Sequence, residues 1–138
     1  MFSFDPNRAG ATLLRVSLGV MYIAHSVILK LFMYTLEGTA QYFESIGLPA
    51  VLAYVVFAFE AIGGVLLVLG VRTREAALLL VPILVGAMWA HIGNGWVFSN
   101  PEGGWEYPLY LIVISIVVAL QAQPAGEQIV IPESAEAV

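Results

Sequence analysis

The chain of 138 residues contains no cysteine. A thiol–disulfide relay within this chain is therefore excluded, and so is a metal site built from thiolates. Charge is also scarce, because 11% of the residues are Asp, Glu, Lys or Arg while 60% are hydrophobic. Soluble domains carry charge on about a quarter of their residues. The composition therefore predicts an integral membrane protein.

Positive charge is the scarcer sign, with five Lys and Arg residues against ten Asp and Glu residues. The chain has no basic patch, and we expect no nucleic-acid partner. The formal net charge of −5 comes partly from residues 124–138, an acidic stretch that contains proline. We predict that residues 1–123 form one membrane domain and that residues 124–138 form a disordered cytoplasmic tail.

Four apolar stretches are candidates for crossing a bilayer, which takes about 20 residues each. They cover roughly residues 9–34, 49–69, 75–93 and 107–121. The first is longer than the 7–15 residues or so of a signal-peptide core, so we expect it to be retained as a helix. The pattern predicts an all-α, four-helix transmembrane bundle.

The positions of Lys and Arg predict the orientation of this bundle. Arg8 and Arg15 lie at the start of the first apolar stretch, and Arg72 and Arg74 lie between the second and the third. Cytoplasmic loops carry an excess of Lys and Arg. Both termini are therefore predicted to be cytoplasmic, in the cell (inner) membrane. Lys30, near the outer end of the first stretch, departs from this pattern.

Five ionisable residues are predicted to lie in the outer half of the membrane or near its middle. Glu60 stands in the middle of "VVFAFEAIGGVLLVLG". At about 1.5 Å per helical residue, His25, Lys30, His91 and Glu106 fall at a comparable depth or at the outer helix ends. An ionisable group at the bilayer centre costs about 2.5–3.5 kcal/mol and normally faces the bundle interior and a partner. We therefore predict a polar pocket that opens toward the outer face.

Glu60 also has a purely structural interpretation. It could pair with Lys30 or Arg15 and hold the helices in register. The glycines that follow it, Gly63 and Gly64, leave room for a neighbouring helix to approach closely.

Four sequence segments resemble the DoxX family of small four-helix membrane proteins. They are "RVSLGVMYIAHSVILKLF", "GLPAVLAYVVFAFEAIGGVLLVLGVRTREAALLL", "MWAHIGNGW" and "EYPLYLIV". The more specific elements are His-x4-Lys, Glu-x2-Gly-Gly, Gly-x-x-Thr-Arg and Glu-Tyr-Pro-Leu. His25-Ser26 replaces the common His-Gly but keeps the histidine. The resemblance implies association with membrane redox enzymes, as a subunit of a quinol oxidase or a thiosulfate:quinone oxidoreductase, or as a partner of enzymes in thiol and oxidative-stress metabolism.

A quinone is the ligand that fits these residue types and this implied function. Its two carbonyl oxygens need hydrogen-bond donors, and oxidation of a quinol needs a base shielded from water. We predict Glu60 and His25 as the catalytic pair. The ligand-binding set is predicted to be His25, Lys30, Glu60, His91, Glu106 and Tyr107. Such a pocket carries no electrons by itself, so the hypothesis requires a redox-enzyme partner with flavin, haem or metal.

Other classes of function stay open at this point. The protein could be a structural or assembly subunit of a membrane oxidoreductase, or a homo-oligomer, with no chemistry of its own. His25, Glu60, His91 and Glu106 are also candidate ligands for a metal ion. A small transporter is a further alternative, although the inner halves of the predicted helices contain few polar residues.

Overall fold

The structure is a computed structural model that describes residues 5–122, and the predicted tail lies outside the described residues. These residues are helical with no β-strand among them. The α-helices are α1 (Pro6–Ile23), α2 (Leu36–Ser45), α3 (Ala50–Leu69), α4 (Thr73–His91) and α5 (Glu106–Gln121). α1 continues into a π-helical segment, Ala24–Met33, and α4 into a single 3-10 turn, Ile92–Asn94. The all-α class predicted from the sequence is confirmed for this part of the chain.

Local sequence explains where the long helices begin and end. The Asp5 carboxylate accepts a hydrogen bond from the Asn7 backbone N–H at 2.9 Å, and Pro6 occupies the first position of α1. A carboxylate at the N-cap and a proline just after it are both favoured at a helix start. α3 ends because Gly70 takes the left-handed conformation, with φ of 73°. Glycine is the residue best suited to that position.

Helix α2 was missed by the sequence analysis, which expects no helix between residues 34 and 49. Its sequence, "LEGTAQYFES", lacks the continuous apolar run on which the four predictions depend. The Thr35 hydroxyl accepts a hydrogen bond from the Gly38 N–H at 3.1 Å and caps the helix start. Thr39 and Ala40 are buried, and α2 packs against α3. With 10 residues, α2 is shorter than the roughly 20 needed to cross a bilayer.

In the described part of the chain, three helices are long and apolar enough to cross a membrane: Pro6–Met33, Ala50–Leu69 and Thr73–Asn94. α5 is apolar but shorter, with 16 residues. Many large apolar side chains point away from the protein, including Leu13, Phe32 and Leu120, which are 69%, 74% and 74% exposed. Extensive exposed apolar surface of this kind marks contact with a membrane. The chain is therefore a membrane protein.

The four longer helices pack as a closed ring in which α1 contacts α3 and α5, and α4 contacts α3 and α5. The glycines after Glu60 allow close approach at two of these helix contacts. A methyl group on Gly64 would lie 2.9 Å from the Gly19 carbonyl oxygen of α1, and one on Gly63 would lie 2.8 Å from Leu80 of α4. Small residues let helix backbones approach this closely. The core of the ring is apolar and includes Leu18, Tyr22, Leu67, Leu80, Leu84, Leu111 and Val118.

Candidate functional site

An ion pair lies inside the helix ring. Lys30 Nζ donates to Glu60 Oε2 at 2.6 Å, with side-chain exposures of 17% and 7%. Glu60 stands near the middle of α3, so its carboxylate is far from both helix ends. Charges that are kept in such a position are normally paired. The structure thus gives Glu60 the first of the two partners that the structural interpretation considered.

Arg15, the second partner considered for Glu60, instead binds the end of α3. Its Nη1 donates to the carbonyl oxygens of Leu67 and Val68, the latter at 2.9 Å. Carbonyl groups at a helix C-terminus have no partners within the helix and carry partial negative charge. Arg15 therefore ties α1 to the C-terminal end of α3.

The π-helical segment determines how His25 and Lys30 are placed. On an α-helix, residues five apart point about 140° away from each other. In a π-helix the backbone hydrogen bonds join residues five apart, as with the Tyr34 N–H and the Leu29 carbonyl at 2.8 Å. This winding narrows the angle between His25 and Lys30. His25 then contacts α5 and Lys30 contacts α3. Both of these helices are neighbours of α1 in the ring.

His25 has a defined hydrogen bond and a defined aromatic contact. Its Nδ1 lies 3.0 Å from the Met21 carbonyl oxygen. A carbonyl oxygen only accepts, so Nδ1 carries the proton, and Nε2 of the neutral ring is a proton acceptor. The ring is stacked on Tyr107 at the start of α5, with centroids 6.0 Å apart and planes inclined by 26°. His25 is therefore fixed in orientation with one ring nitrogen free for chemistry.

Polar groups that the sequence analysis did not use lie one turn below His25. The Tyr22 hydroxyl is 3.1 Å from the Ser115 hydroxyl of α5, and both residues are buried. Ser26 is also fully buried and donates to the Tyr22 carbonyl oxygen at 2.9 Å. Ser115 is an isolated polar residue in an apolar run, as Glu60 is. That isolation was the feature of the sequence from which a buried polar contact could have been predicted. The Tyr22–Ser115 bond joins α1 to α5, whereas the Ser26 bond stays within the helix that α1 and the π-helical segment form.

His91 and Glu106 bind the loop that precedes α5, residues 95–105, which we call the α4–α5 loop, instead of the ion pair. His91 Nδ1 lies 3.2 Å from the Gly103 carbonyl oxygen. The Glu106 carboxylate accepts from the Phe98 backbone N–H at 2.7 Å. The loop is further fixed by an edge-to-face contact between Trp96 and Trp105, with centroids 4.4 Å apart. Both ionisable residues therefore have loop contacts that account for their positions.

An open cavity of about 460 Å³ lies between this loop and the start of α5. Its lining is aromatic and aliphatic, apart from one carboxylate: Trp96, Phe98, Glu106, Tyr107, Leu109, Tyr110 and Val113. We call it the aromatic cavity. Small-molecule sites usually have this volume and an apolar lining with few polar groups. Tyr107 belongs to this lining and also stacks on His25, so it connects the aromatic cavity to the π-helical segment.

The predicted site residues thus form two groups, and His91 lies apart from both. Lys30 pairs with Glu60, and His25 stacks on Tyr107 next to Glu106, which lines the aromatic cavity. His91 lies with the loop and does not line that cavity. Within residues 5–122, no three His, Asp or Glu side chains are grouped closely enough to hold a metal ion.

Comparison with known proteins decides the family. The family model described as DoxX matches residues 10–92, which is more than half of the chain. The chain belongs to the DoxX family. It is 46% identical over 111 residues to "Putative oxidoreductase CatD" of Bacillus subtilis (strain 168), and the match covers 80% of this chain and 78% of that protein. No solved structure matches the chain significantly.

The region matched by the DoxX model contains some of the candidate residues and not others. It includes His25, Lys30, Glu60 and His91, and it ends before the α4–α5 loop and α5. The DoxX region therefore holds the whole ion pair, whereas Tyr107 and the rest of the aromatic cavity lie beyond it. Together with the name of CatD, the family supports a membrane protein in a redox context.

Proposed function

We propose that this protein is an integral membrane subunit of a redox system and that it binds a quinone-type ligand at the outer end of its helix ring. In this proposal α5 is the fourth span, because it completes the ring with α1 and α4. Arg8, Arg15, Arg72 and Arg74 lie at the opposite end, which by the positive-inside rule places both termini in the cytoplasm. The protein is then a multi-pass protein of the cell membrane.

The stacking of His25 on Tyr107 is the observation that carries the ligand proposal. A flat aromatic headgroup fits the aromatic cavity, where Tyr107 offers an exposed ring and Trp96 and Tyr110 offer further aromatic surface. Aromatic rings favour offset or edge-to-face contact with one another. The ligand would then lie against Tyr107, near enough to the edge of that ring for one of its oxygens to reach His25, which is not itself in the lining of the aromatic cavity.

His25 is the base in this proposal. When a quinol is oxidised, two protons and two electrons leave it. Nε2 of neutral His25 would take up one proton, since Nδ1 is already committed to the Met21 carbonyl oxygen, and the second proton would pass to water through the open aromatic cavity. If Glu60 accepted a proton as well, Lys30 would be left as a buried cation with no anion. Glu60 therefore acts most simply by balancing Lys30, and the ligand would have to reach His25 past Tyr107.

The electrons need a carrier that this pocket does not supply. No cysteine is available for thiol redox chemistry. The proposal therefore assigns electron transfer to a partner oxidoreductase that carries a flavin, haem or metal. The name of CatD is consistent with such a context.

Ligand retention tests this proposal directly. The full chain is purified in mild detergent, and bound quinones are extracted and identified by mass spectrometry. We expect quinone in the wild type and at least about a tenfold lower occupancy in His25→Gln and in Tyr107→Leu, because each substitution removes one half of the stacked pair. His91→Gln is the matched control, since His91 contacts the α4–α5 loop and does not line the aromatic cavity.

The stability of each variant is measured in the same preparations. Loss of quinone with an unchanged unfolding transition supports a binding site. A wild type without quinone, even after incubation with a short-chain quinone, would contradict the proposal. It would favour the structural or assembly role, in which the polar groups only pack the bundle.

A further inference from the structure

A second cavity lies at the opposite end of the molecule from His25 and Tyr107. Its volume is about 360 Å³, and it is bordered by α1, the turn between α3 and α4, the first turn of α4 and the end of α5. Its polar lining consists of Thr12, Arg15, Arg72, Thr73, Glu75 and Gln121. We call it the turn cavity. Neither the ion pair nor the aromatic cavity includes any of these residues.

Arg15 is held firmly at the wall of the turn cavity. Its Nη1 donates to two carbonyl oxygens at the end of α3, and its guanidinium lies against Gly70, where an added methyl group would be 2.9 Å from Nη1. A guanidinium has five N–H donors. The two bonds to α3 both use Nη1, so the donors on Nη2 and Nε remain for another acceptor.

The turn cavity also contains charges of both signs that have no ion-pair partner within residues 5–122. Across residues 5–122, the ion pairs are Asp5–Arg8 and Lys30–Glu60. Arg72 and Glu75 therefore line the same cavity without pairing with each other, and among the described residues Arg15 has no carboxylate partner either. A ligand that carries one negative and one positive group would satisfy both signs at once.

We propose that the turn cavity binds the headgroup of a phospholipid that carries a primary ammonium group, as in phosphatidylethanolamine. The guanidinium groups of Arg15 and Arg72 would bind the phosphate through charge-assisted hydrogen bonds. The Glu75 carboxylate would accept hydrogen bonds from the ammonium group. The hydroxyls of Thr12 and Thr73 supply further donors to the phosphate oxygens.

The position of the turn cavity favours a lipid over free phosphate. It lies beside the last turn of α3 and the first turn of α4, at the ends of two long apolar helices, where lipid headgroups are found. Large apolar side chains in the same stretches are exposed, including Leu69, Val71 and Leu120 at 68%, 48% and 74%. They offer contact surface for acyl chains. Glu75 would in addition repel a bare phosphate ion.

The expected consequence is a lipid that joins three parts of the chain. α1, the α3–α4 turn and the end of α5 all border the turn cavity. A bound headgroup would link them through hydrogen bonds and stabilise the folded state according to its affinity and concentration. This inference does not depend on the redox function, because the two cavities share no residue.

Lipid titration tests the proposal. The full chain, purified in detergent and freed of lipid, is titrated with dioctanoyl phosphatidylethanolamine, phosphatidylcholine and phosphatidylglycerol, and binding is followed by native mass spectrometry. Phosphatidylcholine keeps the phosphate but has no N–H on its cation, and phosphatidylglycerol has no cation. We expect phosphatidylethanolamine to bind at least about tenfold more tightly than the other two.

Substitutions separate the two charges. Arg72→Gln should weaken the binding of all three lipids by about tenfold, because each contains the phosphate. Glu75→Gln should weaken the binding of phosphatidylethanolamine alone and remove its higher affinity relative to phosphatidylcholine. Arg74→Gln and Glu37→Gln are the matched controls, since both side chains are exposed and neither lines the turn cavity.

Three results would overturn the proposal. The first is equal binding of the three lipids to the wild type, and the second is an equal effect of Arg72→Gln and Arg74→Gln, which would indicate general attraction by positive charge. The third is displacement of phosphatidylethanolamine by sodium phosphate as readily as by the lipid itself, which would identify a site for free phosphate.

Discussion

Removing Lys30 is the perturbation with the largest expected effect on stability. Lys30→Met keeps an unbranched apolar side chain but leaves the Glu60 carboxylate, 7% exposed, without a cation. At 2.6 Å and an effective dielectric constant of about 20, the attraction in this pair is about 6 kcal/mol. Desolvation of both charges offsets much of that attraction. Removal of one partner from a buried pair costs about 3–5 kcal/mol, and we expect Lys30→Met to fall in that range.

A double-mutant cycle isolates the ion pair from other effects of substitution. Glu60→Gln keeps an oxygen that can accept from Lys30, so its expected cost is smaller, about 1–3 kcal/mol. The double variant, Lys30→Met with Glu60→Gln, contains no buried charge and should be more stable than the sum of the single losses predicts. We expect a coupling energy of about 2 kcal/mol.

The assay is reversible unfolding in mixed micelles of mild detergent and sodium dodecyl sulfate, followed by fluorescence of the three tryptophans. Glu37→Gln is the control, because Glu37 is exposed and should change stability by less than about 0.5 kcal/mol. The reasoning is refuted if the two single losses add in the double variant to within about 0.5 kcal/mol. It is also refuted if Lys30→Met costs no more than the control.

Three further predictions use the same unfolding assay. Gly64→Ala should lower the free energy of unfolding by about 1–3 kcal/mol, because its methyl group would lie 2.9 Å from the Gly19 carbonyl oxygen. Gly86 lies in the interior of α4 with open space around it, so Gly86→Ala should raise the free energy of unfolding by about 0.5–1 kcal/mol. A loss of stability there as large as at Gly64 would contradict the packing argument. Ser115→Ala should cost about 1–3 kcal/mol because the Tyr22 hydroxyl loses its partner, whereas adding Tyr22→Phe should recover part of that loss, and no recovery would refute the bond.

The long helices could be predicted from the sequence because each depends on a property of one continuous stretch. An apolar run of sufficient length must satisfy its own backbone groups in lipid, and a helix does so. The predicted limits therefore lie within a few residues of α1 with its π-helical extension, α3, α4 and α5. The change from α to π winding at Ala24 depends on which carbonyl each N–H selects, and no pattern of residue types predicts that choice. α2 has too little apolar continuity for the same criterion to find it.

Contacts in the candidate site could be predicted from the sequence only where a charge without a partner would be strongly unfavourable. Glu60 in an apolar run requires a cation, and Lys30 was one of the two considered. His91 and Glu106 instead bind backbone groups at Gly103 and Phe98. Partners of that kind depend on the course of a loop and not on side-chain type, so spacing along the sequence cannot reveal them.

The chemistry of the ion pair itself provides a way to separate its structural and functional roles. A well-packed apolar pair often replaces a buried ion pair without loss of stability. A purely structural role for Lys30 and Glu60 therefore predicts that Lys30→Leu with Glu60→Leu yields a folded protein with unchanged quinone content. A role at the ligand site predicts a folded protein that has lost its quinone, because the ion pair that holds the π-helical segment of His25 against α3 is gone while the packing is kept. The double apolar variant distinguishes these outcomes, which a single charge deletion confounds with unfolding.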